Sequence, residues 1–151
     1  MEMVKMENLQ NKMIEHLKVS LAEQYAFFLK VQNYHWNVTG ANFSSIHALF
    51  EEIYKDMAVA IDDTAELIRA RGQKVAASFS FFNQLKSISD GNEHASCETM
   101  IQELGDDLTR LNQLMKEGIA LAAKEKDDSA ADFLTSRLRE QEKRAWMLHS
   151  L

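Results

Sequence analysis

His35 and His47 flank a Thr39-Gly40 turn, twelve residues apart, and Glu51 follows the second histidine by four. Asp62 and Glu66 repeat that four-residue step further along the chain. Residues four apart on a helix stack on one face, so each pair could offer two ligand atoms to one ion. Imidazoles and carboxylates without a thiolate suit Fe, Zn or Mn, and disfavour Cu(I) or an iron–sulfur cluster. With coordination positions left open, such a set is compatible with oxidation of Fe(II). Each part also has an ordinary reading. A His-x3-Glu pair is common on helices, and Asp62 with Glu66 could be a solvated face whose like charges Arg69 softens. His35, at the end of an apolar stripe, could be a satisfied core histidine. Their coincidence on one segment, with Trp36 beside His35, raises the metal reading above what either pair carries alone.

Long helices are expected to position these groups. Proline is absent and glycine occurs five times, so the chain has few obligatory breaks. Apolar residues recur at three- and four-residue steps in four segments. The first, about Asn8 to Trp36, carries Leu17, Leu21, Phe28 and Val31 on one stripe. After a turn over Asn37 to Ala41, Asn42 is placed to cap a second helix from about Phe43 to Arg71. Its core stripe holds Ile46, Leu49, Ile53, Met57, Ile61, Thr64 and Ile68, and Gly72 stands where a C-terminal cap belongs. Residues 73–94 are Ser-rich, and a short helix around Phe79–Ser87 is expected there. A third long helix spans about Ala95–Lys124. The fourth follows Lys126-Asp127-Asp128 and runs on through Phe133, Leu134, Leu138, Trp146 and Leu148. Residues 1–151 then form one all-α domain, a four-helix bundle. The link over 73–94 supplies its long crossover if the second and third long helices run parallel.

Glu51 and Asp62 are eleven residues apart, about three turns, so both acidic pairs lie on nearly the same side of the second helix. This polar stripe flanks the core stripe and faces outward. His47 and Asp62 are fifteen residues apart, roughly 22 Å along a helix axis. Metal–ligand distances of about 2.0–2.2 Å mean that no single ion can touch both in one chain. A second copy packed antiparallel across a two-fold axis would bring His47 and Glu51 of one chain to Asp62 and Glu66 of the other, twice by symmetry. A di-iron site inside the bundle is not expected, because no Glu stands three residues before any of the five histidines.

A net charge of −6 does not attract phosphate backbones through the overall field. Lys5 and Lys12 balance Glu2 and Glu7, so no basic arm is visible, and cations are the more natural partners. No apolar run approaches the roughly 18 residues of a membrane span. The N-terminal segment is amphipathic and of mixed charge, and is expected to be mature protein rather than a signal peptide. The lone Cys97 excludes an internal disulfide and fits a reducing cytoplasm.

The run YHWNVTGANFSSIHALFEEIYKDMAVAIDDTAELIRARG closely resembles the signature region of the Dps family, the mini-ferritins. EHAS at 93–96 and the closing DDSAADFLTSRLREQEKRAWML also resemble family segments, so the likeness covers nearly the whole chain. It implies a ferritin-like four-helix bundle with a short extra helix in the long connection. It also implies assembly of two-fold dimers into a hollow dodecamer. A ferroxidase centre between two-fold-related subunits would oxidise Fe(II), with hydrogen peroxide preferred over O2, and ferric mineral would be stored inside. On this likeness His35, His47 and Glu51 come from one subunit, and Asp62 and Glu66 from its neighbour. Family members carry either Asp or Glu at the position of Glu51. Trp36 matches a tryptophan beside the centre that is thought to intercept oxidising equivalents. Fe is the implied metal, with Zn as an alternative occupant.

Asp128 and Asp132 lie one turn apart at the start of the fourth helix, where carboxylates compensate the helix dipole. The resemblance suggests a second role, lining negatively charged pores on three-fold axes. Twelve chains at −6 each would give a shell of −72 that draws Fe(II) inward. Family members that bind DNA tightly use a Lys/Arg-rich tail, and this sequence departs from that pattern. Weak or absent DNA binding is therefore expected at physiological salt. The competing reading is a non-catalytic DNA-compacting or surface-interaction protein on the same shell. Cys97 is expected to be structural, and His16, His94 and His149 have no evident partners.

Overall fold

The computed structural model describes residues 1–151 except the side chains of Met6 and Leu9. It comprises α1 (Glu2–Asn37), α2 (Phe43–Ala70), α3 (Phe79–Leu85), α4 (Cys97–Glu125) and α5 (Asp128–His149), with no strand among the described residues. α1 and α5 each pack against both α2 and α4, so the long helices form a square with α2 and α4 on one diagonal. The tight turn after α1 makes α2 antiparallel to it. α4 is antiparallel to α1 as well, since Lys30 pairs with Asp107 while Tyr34 bonds Glu103. α2 and α4 are therefore parallel, and the connection between them runs the length of the bundle with α3 lying on α1. This is the four-helix bundle with a short extra helix that the sequence predicts.

Burial on α2 follows steps of four and three: Ile46, Phe50, Ile53, Met57, Ala60, Thr64 and Ile68. Leu49 and Ile61, expected on that stripe, are half-buried on its flank. Phe50 and Ala60 occupy the seam instead, a phase that periodicity alone does not separate from its neighbour. The buried Thr64 hydroxyl returns to the Ala60 carbonyl at 2.8 Å, so it leaves no unsatisfied donor. On α1, Phe27 is fully buried while Phe28 is only half-buried. On α5, Trp146 lies outside the core at 67% exposure.

Helix ends also differ from expectation. α1 starts at Glu2 rather than near Asn8, because nothing in that stretch breaks a helix. α4 starts at Cys97, after Ser96, whose hydroxyl accepts the Thr99 amide at 3.1 Å. α3 ends at Leu85, two residues earlier than expected. Asn42 holds the N-cap position of α2 without a side-chain hydrogen bond. Gly72 follows α2 at φ +85°, as its capping role requires.

Polar links between helices fix the end of the bundle that carries the histidines. Lys30, 4% exposed, pairs with Asp107 at 2.9 Å. Tyr34 donates to Glu103 and accepts the Asn92 amide at 3.2 Å. Burial, then the bond to Glu103, pushes the Tyr34 hydroxyl up to about 12. Burial also raises the Asp107 carboxyl, against the opposing effect of Lys30. Between α2 and α5, Arg137 grips both Asp56 oxygens at 3.0 and 2.8 Å. No helix among the described residues is long and apolar enough to cross a membrane.

Candidate metal centre

The turn between α1 and α2 sets two histidines face to face. Gly40 supplies a φ of +123° that side-chain-bearing residues rarely adopt, and buried Val38 anchors the turn to the core. The His35 and His47 rings then lie 3.7 Å apart between centroids and within 13° of parallel. Nδ1 of His35 bonds the His47 carbonyl, and Nδ1 of His47 bonds the His35 carbonyl, both at 2.7 Å. A carbonyl only accepts, so each Nδ1 carries the proton. In the neutral rings, each Nε2 keeps its lone pair for a metal ion. His35 is therefore a satisfied buried histidine that retains one free donor atom.

Further rings extend this stack. Phe43 lies over His47 at 5.0 Å, and Tyr54 over His35 at 5.2 Å. Phe28 stacks on Tyr54 at 6.0 Å, and Tyr25 meets Phe28 edge-on at 5.9 Å. Packed aromatics hold the imidazole planes in one orientation. Trp36 takes no part in the column and is 64% exposed. Its seven-residue step from His47 places Tyr54 on this same face, between the two acidic pairs, but spacing alone does not reveal the stacking.

Glu51 stands one turn beyond His47 with its side chain 41% exposed, paired to Lys55 at 3.1 Å. The hydrogen bond from Lys55, and then its charge, hold the Glu51 carboxyl below the usual carboxylate range. This four-residue Glu–Lys spacing is legible in the sequence.

Asp62 and Glu66 lie at the other end of the same stripe, together with Asp63. One oxygen from each of the three lies within 4.8 Å of the others, and all three residues are exposed. Repulsion from Asp62 is the first cause that raises the Glu66 carboxyl. Arg69 makes no direct ion pair with them among the described residues; its guanidinium donates to the Gln73 carbonyl at 3.0 Å. Asp63 is a carboxylate that the sequence analysis missed. Along α2 the His47 and Asp62 positions remain about 22 Å apart, as helix geometry requires.

Asp128 and Asp132 are exposed on the first two turns of α5. The capping role belongs to Asp127 instead, whose Oδ1 accepts the Ala130 amide at 3.0 Å. Burial alone would raise the Asp127 carboxyl, but Arg71, Ala130 and Ser129 together hold it low. His16 has a partner after all, the Leu114 carbonyl at 2.7 Å. The Cys97 thiol is raised by burial.

Comparison with known proteins places this geometry in context. Residues 14–151 match the ferritin-like domain family. The chain is 32% identical to DNA protection during starvation protein 2 of Bacillus anthracis, over 92% of this chain and 95% of that protein. It is 31% identical to general stress protein 20U of Bacillus subtilis, over 91% and 94%. The crystal structure of a DPS protein from Vibrio cholerae superposes with a TM-score of 0.91 at 30% identity, covering 95% of this chain and 90% of that one. That protein is described as a member of a broad superfamily of ferritin-like diiron-carboxylate proteins.

Proposed function

The chain belongs to the Dps family within the ferritin-like superfamily, and on that premise we propose that it is an iron-storing ferroxidase. The observation that carries this reading is the pair of half-sites along α2, the first joined by His35 from the end of α1. A histidine pair with both Nε2 atoms free lies beside Glu51, and a mutually repelling Asp62–Glu66 pair lies further along the same stripe. The histidine half offers nitrogen donors with one carboxylate, and the acidic half offers oxygens alone, so each has what the other lacks. An antiparallel second copy unites them, so the centre comprises His35, His47 and Glu51 from one chain and Asp62 and Glu66 from the other.

Iron is substrate and cargo at once. His35 and His47 offer neutral nitrogen donors, and the carboxylates offset the charge of Fe(II) and hold the ferric product. Hydrogen peroxide takes two electrons, so two Fe(II) and two protons reduce it to two water molecules without releasing hydroxyl radical. Ferric mineral then accumulates inside a shell of twelve chains, the assembly the family likeness supports. Asp128 and Asp132 are the pore-lining carboxylates in this reading. Zn is an alternative occupant of the centre.

The test is to add anaerobic Fe(II) and then peroxide to wild type and to His35→Ala/His47→Ala, following ferric absorbance. A rate at least tenfold lower in the variant supports the centre, and equal rates end the reading. The name of the Bacillus anthracis relative raises DNA protection as a second reading. The net charge of −6 favours weak DNA binding in this chain. A mobility shift that persists at physiological salt would contradict that.

A further inference from the structure

Lys55 stands where the two chains of the proposed dimer would meet. When His47 and Glu51 of one chain face Asp62 and Glu66 of an antiparallel copy, the two-fold axis crosses α2 midway between the half-sites, between Lys55 and Ala58. Both residues are exposed, on the outward stripe rather than the buried seam through Ile53, Met57 and Ala60. Lys55 turns back one helical turn, and its ammonium meets the Glu51 carboxylate at 3.1 Å. Glu51 is also the residue that Asp62 of the second copy approaches, so the ammonium lies between carboxylates of two chains. Ala58 of that copy, opposite Lys55, leaves room for the lysine stem.

Charge decides what this ammonium does. Without a metal ion, the shared centre gathers Glu51 from one chain with Asp62 and Glu66 from the other, and three carboxylates at one interface repel. Among the described residues, Lys55 with Glu51 is the one ion pair that any of the three makes. Resting on the ferroxidase reading, we propose that Lys55 is the internal counter-ion of the metal-free centre, holding carboxylates of both chains together until a divalent cation displaces it. The ammonium offers one charge and its hydrogen bonds. A divalent ion brings two charges and also draws on the free imidazole Nε2 atoms, so it takes the site. Assembly is thereby independent of iron, and a formed shell meets Fe(II) with its carboxylates already in place.

Coupling between Lys55 and Glu66 tests this. Within one chain they are eleven residues apart, roughly 16 Å along the helix axis. That exceeds the screening length of about 8 Å at physiological salt, so strong coupling there runs between chains. Subunit exchange between isotope-labelled and unlabelled shells, stripped with EDTA and held in mild urea, is read by native mass spectrometry. Lys55→Gln is expected to exchange at least fourfold faster than wild type, and Lys55→Arg within twofold of it. In a Glu66→Gln background the same Lys55→Gln change should alter exchange less than twofold. Saturating Zn(II) should bring Lys55→Gln within twofold of wild type, since the ion then replaces the ammonium. Equal exchange in Lys55→Gln and wild type overturns the proposal, as does an acceleration that Glu66→Gln leaves undiminished. Should Lys55→Gln form no shell with EDTA, Lys55→Gln/Glu66→Gln is expected to form one, and its failure is equally contradictory. The EDTA arms contain no iron, so loss of the ferroxidase reading shows separately, as wild type that couples as expected yet forms no ferric product with peroxide.

Discussion

His35 and His47 each bond the other's backbone carbonyl through Nδ1, at 2.7 Å in both directions. One reciprocal exchange thereby closes the α1–α2 turn, stacks the rings and selects the tautomer that frees both Nε2 atoms. Local folding and ligand preparation are the same event at this site.

Replacing either histidine should accordingly harm the other. His47→Ala is expected to weaken Co(II) binding at least tenfold, beyond the loss of one donor, because the His35 ring loses its stacking partner. His47→Gln restores a polar side chain but not the stack, and should recover little. Co(II) absorption spectra of both variants against wild type provide the check.

Lys55 occupies a carboxylate that the proposed centre needs. An incoming ion must displace it, so Lys55→Gln is expected to tighten Co(II) binding roughly twofold to fivefold, the scale of an exposed ion pair. Isothermal titration at low ionic strength reads this directly. Weaker binding in Lys55→Gln would show that the ammonium supports the site rather than competing for it.

Asp127 predicts a pH dependence of stability. Its folded carboxyl sits below its usual range, so the stabilisation is present above the ordinary carboxylate value and is lost as pH falls through the lower folded value. Asp127→Asn keeps a capping oxygen but loses the charge facing Arg71. A deficit of about 1–2 kcal/mol is expected at neutral pH, shrinking below about pH 4. Denaturant unfolding of the two proteins across that range tests it.

The metal-free acidic pair should be a liability. Asp62 raises the Glu66 carboxyl and both are exposed, so Asp62→Asn is expected to leave the thermal midpoint of the metal-free protein unchanged or higher. The same variant should lose most of the midpoint rise that added Zn(II) gives wild type. A lower metal-free midpoint would contradict the repulsion.

Much of this is legible in the sequence alone. The absence of proline and the three-and-four spacing specify four long helices, and the length of α2 separates His47 from Asp62 whatever the packing. The finer errors share a cause. Leu49 against Phe50, or Ile61 against Ala60, differ by one residue on a broad apolar face, and only the neighbouring helices choose between them. Trp146 reads as core from its type, yet a large ring lies outside when the seam passes through Ala145 and Leu148. Asp127 rather than Asp128 caps α5 because Arg71, distant in sequence, arrives beside it. The reciprocal histidine bonds depend on the turn geometry at Gly40, which no spacing rule encodes.

The central claim is that the centre forms only between two chains, and mixed assemblies test it most directly. His35→Ala/His47→Ala and Asp62→Ala/Glu66→Ala should each be inactive in peroxide-driven Fe(II) oxidation. When the two are dissociated, mixed equally and reassembled, half the two-fold pairs are mixed, and each mixed pair regenerates one intact centre of its two. Recovery of about a quarter of wild-type activity is the predicted result. No recovery in properly reassembled shells would contradict a centre shared across the two-fold axis.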